Sequence, residues 1–216
     1  MSQNVINIKI ALLGDCGVGK SSIAMRYTSN EFESNYESTG GASYSNKRIT
    51  RHNETIQLDI WDTAGQERYR ALGRNFYKDA FIVLLIFDIT RKETFTSLKE
   101  TWYEELKKNG EKNPLIAIVG NKSDQYESEN TVNEEEARKF AESINGIFKL
   151  VSAKTGQGID DLFNECVDKY YELKYPEKVK NIVQRRNSKK LVNQNHNNED
   201  KGDENNVIVV RKKKCC

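Results

Sequence analysis

The chain has 216 residues, 37% hydrophobic and 31% charged, enough for one substantial core plus a tail and too polar for a membrane-embedded protein. Its net charge of +2 conceals an asymmetry: residues 177–216 carry 11 Lys/Arg against 5 Asp/Glu, a balance of +6, and the first 176 residues carry 23 against 27, a balance of −4. A mildly acidic body argues against nucleic-acid binding, whereas a basic tail suits an anionic membrane surface.

The opening stretch, Met1 to Asn7, lacks a positive segment followed by an apolar core, so no secretory leader is expected. No apolar run approaches the roughly 18–20 residues that span a bilayer, and the longest, Ala80 to Phe87, has the length of a buried strand. A cytosolic origin follows as an expectation. Cys16, Cys166, Cys215 and Cys216 lack metal-ligand spacing, and a cytosolic chain seldom keeps disulfides.

In chain order, Ile8 to Leu13 reads as a buried strand stopped by Gly14, and Lys20 to Ser29 as a helix. Ala42 to Arg51 and Thr55 to Trp61 are strand-like and joined through Arg51-His52-Asn53-Glu54, which predicts a hairpin. The strand Ala80 to Asp88 precedes a helix near Glu93 to Lys108. The strand Leu115 to Gly120 and a helix from Asn133 to Ser143 follow. Ile147 to Val151 is the last strand and Ile159 to Tyr175 the last helix. Strand–helix alternation with continuous apolar strands predicts an α/β fold: a six-stranded, mostly parallel sheet with one antiparallel edge and about five flanking helices. After Pro176 aromatics vanish and Asn, Lys, Glu and Asp dominate, so the segment is expected to be disordered, with a reach of roughly 35 Å. The expected division is a folded domain over 5–176 and a basic tail over 177–216.

Gly14-Asp15-Cys16-Gly17-Val18-Gly19-Lys20-Ser21 matches G-x-x-x-x-G-K-[ST] and lies between a strand and a helix, as that motif requires. Its glycines let successive N–H groups face phosphate oxygens at the positive end of the following helix. Lys20 reaches the β- and γ-phosphates, and the Ser21 hydroxyl ligates Mg²⁺. The motif specifies a nucleoside triphosphate and is silent on the base. Asp62-Thr63-Ala64-Gly65-Gln66-Glu67 follows a strand, which suits Asp62 to the Mg²⁺ shell, the Gly65 N–H to a γ-phosphate and Gln66 to orienting the attacking water.

Asn121-Lys122-Ser123-Asp124 follows the strand ending at Gly120. Asp124 can accept two hydrogen bonds from guanine N1–H and its exocyclic amine, a pattern adenine does not offer, and an unpaired buried carboxylate is costly. The Lys122 stem can cover the ribose–base plane. Ser152-Ala153-Lys154 follows the last strand, with the Ala153 N–H directed at guanine O6. Each motif falls at the C-terminal end of a strand, where open α/β sheets bind ligands.

In this order and spacing the motifs resemble the Ras-like small GTPases among the P-loop NTPases, and within them the Rab family, over residues 5–176. Trp61 to Tyr69 looks Rab-like through its Trp and Arg68-Tyr69, and the Ala42 neighbourhood is similar to the endosomal subgroup. The resemblance implies a molecular switch in vesicle trafficking that binds GTP and GDP with Mg²⁺ and hydrolyses GTP slowly. It also implies Ser22 as a nucleotide contact, Thr39 as the threonine on Mg²⁺ and the γ-phosphate, and Phe32 edge-on to guanine. Tyr44, Trp61 and Phe76 match the aromatic cluster that effectors read. Exchange factors, activating proteins, a GDP-dissociation inhibitor or escort, and effectors are the implied partners of a monomer.

Two departures stand out. Gly40 occupies a position where the family usually has Ile, which predicts a more mobile switch loop. Cys16 stands where Rab proteins often carry a small polar residue, and reads as a small filler rather than a redox sensor. The terminal Arg211-Lys212-Lys213-Lys214-Cys215-Cys216 resembles a double geranylgeranylation signal. Two lipid chains, or one with a basic patch, anchor where one alone is marginal. The expected location is the cytoplasmic face of endosomal or other vesicles, with a cytosolic pool. Three rival readings stay open: a nucleotide-dependent binding module with negligible hydrolysis, a small-molecule kinase, and a Ras-like GTPase of another branch with a signalling role.

Overall fold

The computed structural model describes residues 5–34, 39–63, 76–109, 113–126 and 131–180. The chain divides into units 1–174 and 175–216, each considered by itself. In the first unit, β1 (Ile6–Leu13), β2 (Ala42–Arg51), β3 (Glu54–Thr63), β4 (Ile82–Asp88), β5 (Leu115–Asn121) and β6 (Ile147–Leu150) form one sheet in the order β2-β3-β1-β4-β5-β6. Only β2 and β3 are antiparallel; β1–β3, β1–β4, β4–β5 and β5–β6 are parallel. Among the described residues the α-helices of this unit are α1 (Lys20–Ser29), α2 (Lys92–Ser97), α3 (Glu104–Asn109), α4 (Glu134–Ser143) and α5 (Ile159–Lys174). This is the architecture expected of the alternating pattern.

Periodicity explains the burial. Every residue of β4 is buried, as befits a central strand covered on both faces. Along β1, Ile8, Ile10 and Leu12 alternate with Ala11 and Leu13, and the latter pair joins Phe87, Phe95, Leu98 and Trp102 in one apolar cluster. On α1 and α5, Tyr27 and Phe163 stack with ring centroids 3.7 Å apart. Asn133 caps α4 with its side chain, accepting from the amides of Glu135 and Glu136.

Some expected boundaries shift for identifiable reasons. β3 runs two residues further, to Thr63, because Ala42 and Ser43 of β2 pair with Thr63 and Asp62. β4 starts at Ile82 rather than Ala80. The predicted helix over 93–108 extends over 92–109 but contains a π-helical stretch, Leu98–Tyr103, between α2 and α3. Single π turns often mark functional positions, and this one carries Trp102. In the second unit, residues 176–180 are helical rather than disordered. Pro176 opens that turn, where its missing N–H costs nothing, and the amides of Lys178 and Val179 bond the Tyr175 carbonyl. Residues 181–216 lie outside the described residues.

The far end of the hairpin is tied to α5. Arg51 donates to both carboxylate oxygens of Asp168, and His52 Nε2 lies 2.8 Å from Asp168 Oδ1 while its ring stacks on Tyr171. Burial works against an ionised Asp168, but the hydrogen bonds from Arg51 outweigh it and hold the pKa below its ordinary value. A depressed folded-state pKa contributes stability above the unfolded carboxylate value of about 3.9 and loses it as the pH falls through the folded one. Asp168→Asn should therefore cost about 1 kcal/mol near neutral pH, since the pair is partly solvent-screened, and less under strongly acidic conditions. Urea melts at the two pH values check this; an equal cost at both would remove the ion pair as the cause.

Candidate functional site

The C-terminal ends of the parallel strands deliver five segments to one edge: the loop after β1, Asp62 at the end of β3, Asp88 at the end of β4, Asn121 at the end of β5, and the loop after β6. At that edge a cavity of about 520 Å³ has Cys16, Gly17, Gly19, Lys20, Ser21 and Ser22 on one side of its wall, whereas Asp62 and Asp88 stand behind its lining. Asn121, Lys122, Asp124, Ala153 and Lys154 line the opposite side, with Phe32 and Thr39 also on the wall. The fold thus brings most of the sequence-predicted residues to one place. Glu33, Ser34 and Gln125 also line it and were not foreseen.

The loop from Gly14 to Gly19 is backbone-built. Gly14, Gly17 and Gly19 take φ values of 145°, 76° and 95°, which side-chain-bearing residues avoid. The Lys20 ammonium, buried at the first position of α1, donates to the carbonyls of Gly14 and Asp15, both at 2.9 Å. Burial lowers its pKa, with the Asp62 charge opposing that effect. Asp15 does not present its side chain to the cavity: its Oδ1 accepts from Ser97 Oγ at 2.8 Å and Trp102 Nε1 at 2.7 Å, so any ligand contact from Asp15 is through the main chain. Val18 is buried, and its carbonyl accepts from Asn121 Nδ2 at 2.8 Å.

Three oxygen-bearing side chains meet beside Lys20. Ser21 Oγ donates to Asp62 Oδ2 at 2.5 Å and lies 2.9 Å from Thr39 Oγ1. Burial raises the Asp62 pKa, opposed by the Ser21 hydrogen bond and the Lys20 charge. Asp62 Oδ1 is buried and has no hydrogen-bond partner among the described residues. An orphaned buried carboxylate oxygen is costly, and two hydroxyls with a carboxylate are hard ligands of the kind Mg²⁺ takes. The residues present fit that ion.

At the other end, Asp124 Oδ1 accepts from Ser152 Oγ at 2.6 Å, whereas Oδ2 has Lys154 Nζ at 4.0 Å, beyond hydrogen-bond length. Ser152 is fully buried and acts by aiming Asp124. Asn121 braces the two halves, its Oδ1 accepting from the Ala153 amide at 3.2 Å as its Nδ2 holds the phosphate loop. Lys122 pairs with Asp88 Oδ2 at 2.6 Å. Burial alone would raise the Asp88 pKa, but hydrogen bonds from Lys122 and Thr90 carry it below its ordinary value. Sequence reasoning missed Asp88, whose only local signal is a carboxylate closing an all-apolar strand.

Beside the cavity, Trp61 packs against Tyr44 and Phe76, with centroids 5.2 Å and 5.6 Å away, so the three predicted aromatics do form one cluster. Tyr44 is 48% exposed and available to a partner. A Cβ at Gly40, where the family usually carries Ile, would meet nothing within 4 Å among the described residues. Cys16 is exposed at the cavity mouth, whereas burial pushes the Cys166 thiol up to about 12 and leaves it inert. Gly65, Gln66, Cys215 and Cys216 lie outside the described residues.

The model of the Ras family matches residues 9–172. Among curated relatives, human Ras-related protein Rab-22A is 44% identical over 158 residues, 73% of this chain and 80% of its own length. Ras-related protein Rab5 of Nicotiana tabacum is 42% identical over 163 residues, covering 76% and 80%. Ras-related protein Rab-21 of Geodia cydonium is 38% identical over 174 residues, covering 81% and 75%. The chain therefore belongs to the Ras family, as a GTP-hydrolysing small GTPase of the endosomal Rab group that regulates membrane trafficking.

Proposed function

We propose that the cavity holds a guanine nucleotide with its base against Asp124 and its phosphates in the cradle ending at Lys20 and Ser21. The observation that carries this is the polarity of the cavity: an aimed carboxylate at one end and a buried ammonium with backbone amides at the other. In this reading the main-chain N–H groups from Asp15 to Ser22 and the Lys20 ammonium bind the polyphosphate, and Phe32, Asn121, Lys122, Asp124, Ser152, Ala153 and Lys154 enclose guanosine. Ser21, Thr39 and Asp62 hold Mg²⁺, which neutralises phosphate charge when bound.

Gln66 orients the water that attacks the γ-phosphorus as the bond to the β-phosphate oxygen breaks, leaving GDP and phosphate. Gly65 and Thr39 sense the γ-phosphate, and Tyr44, Trp61 and Phe76 report that state to effectors. The folded domain spans 5–176, and the basic tail over 177–216 carries prenyl groups on Cys215 and Cys216. No helix among the described residues is long and apolar enough to cross a membrane. The tail would place a monomeric protein on the cytoplasmic face of endosomal vesicles, where exchange, activating, escort and effector proteins meet it.

Titration of nucleotide-stripped protein tests the site. GDP and GTP should bind with Mg²⁺ present, and ATP should not compete. Asp124→Ala should weaken GDP binding about a hundredfold, equivalent to roughly 3 kcal/mol for two charge-assisted hydrogen bonds. Equal competition by ATP, or unchanged GDP affinity in that variant, would remove Asp124 as the base-reading group.

A further inference from the structure

Arg91 stands in the turn between β4 and α2 and is not among the residues lining the cavity. Its Nη2 donates to the Cys16 carbonyl at 3.3 Å and lies 3.7 Å from where a Cβ on Gly17 would stand. Its Nε donates to the buried carboxylate of Asp88 at 3.1 Å. The same Asp88 oxygen holds Lys122 at 2.6 Å. One guanidinium thus touches the crown of the phosphate loop and the ion pair behind the base end.

The consequence is directional. A peptide unit is planar and trans, so its C=O and N–H point in opposite directions. Holding the Cys16 carbonyl outward on Arg91 aims the Gly17 N–H the other way, and both residues face the cavity. Gly17, at φ 76°, has the conformational freedom to turn that peptide over, so its own backbone preference does not hold it. Nearby ties hold other points of the loop: Lys20 on the Gly14 and Asp15 carbonyls, Trp102 and Ser97 on the Asp15 carboxylate, and Asn121 on the Val18 carbonyl. Among the described residues the Cys16 carbonyl has its tie in Arg91.

We propose that Arg91 is a positioning residue for phosphate binding, fixing the Cys16–Gly17 peptide so that the Gly17 N–H faces the polyphosphate. The inference rests on the reading of this cavity as the guanine-nucleotide site. A guanidinium suits the task because its rigid fork serves Asp88 and Cys16 at once, whereas a lysine ammonium on a flexible stem serves one of them well.

The test uses the full chain loaded with a fluorescent GDP analogue and chased with unlabelled GDP. Arg91→Gln should release nucleotide about tenfold faster and Arg91→Lys about threefold faster, a graded rescue expected of a charge-assisted contact. In the ¹⁵N-labelled GDP-bound protein, Arg91→Gln should also speed hydrogen exchange at the Gly17 amide while the amides of α4 and β6 exchange as in wild type. Release from Arg91→Gln within about twofold of wild type would overturn the proposal. So would faster release with equally faster exchange at Gly17, α4 and β6, which describes a general loosening. Should the wild-type protein itself fail to retain the GDP analogue, the nucleotide-site reading falls and takes this inference with it. Retention by wild type with unaltered release from both variants removes Arg91 alone.

Discussion

Replacing Lys20 by alanine should lower the affinity of nucleotide-stripped protein for GDP by at least about a hundredfold, because a buried cation facing phosphate acts in a weakened dielectric. Lys20 is only 6% exposed, and its ammonium is aligned by the Gly14 and Asp15 carbonyls at the mouth of α1. Its pKa is pulled down mainly by burial, which means the charge has already lost much of its hydration before a ligand arrives. A phosphate therefore meets a cation that need not shed water, and the interaction is correspondingly strong. Alanine is a good helix former at the start of α1, so the empty fold should tolerate the change. Thermal melts with and without GDP separate the two effects. Wild-type protein should gain stability with ligand concentration by mass action, and Lys20→Ala should gain little. A loss of affinity below about tenfold would assign the cradle to its main-chain amides alone.

The second large effect concerns the backbone under that cradle. Gly14 has φ 145°, and a Cβ there would stand 2.2 Å from the Ile86 carbonyl oxygen and 3.3 Å from Val18 Cγ2. The first obstacle is main chain in the central strand β4, which no rotamer change can move. Gly14→Ala must therefore shift either β4 or the start of the loop. The expected cost is about 3 kcal/mol or more, combining overpacking with an unfavourable backbone conformation. Chemical denaturation measures it directly. A cost under about 1 kcal/mol would mean that the loop can re-seat without its close approach to Ile86.

Much of the architecture was legible because it is written locally. The all-apolar run of β4 and the strand–helix alternation each express a period that a single segment carries without knowledge of its neighbours. The phosphate loop was legible for the same reason, since its glycines and Lys20 act within one turn of chain. The segment proposed to read the base was legible in part. Asp124 was recognised as a carboxylate at a strand end, but the hydroxyl that aims it, Ser152, lies 28 residues away and shows its role only in space.

What stayed hidden are pairings between distant residues of ordinary appearance. Asp15 belongs to a recognisable motif, yet its carboxylate serves Trp102 and Ser97 rather than the cavity. The π turn that carries Trp102 interrupts what reads as one continuous amphipathic helix. Asp88 and Arg91 sit in a stretch that looks like the plain end of a strand, and they meet Lys122 and Cys16 only after the parallel strands are set side by side.

By itself, the amino-acid order determined which segments become strands and helices, and it carried the motifs on which the proposed main-chain phosphate cradle and guanine reading rest. Those outcomes depend on side-chain period and on groups a few residues apart. Tertiary structure alone decided which charges brace the cradle and which way the Asp15 carboxylate turns. Such choices depend on the sheet order β2-β3-β1-β4-β5-β6, which brings residues remote in sequence within hydrogen-bond length at one edge.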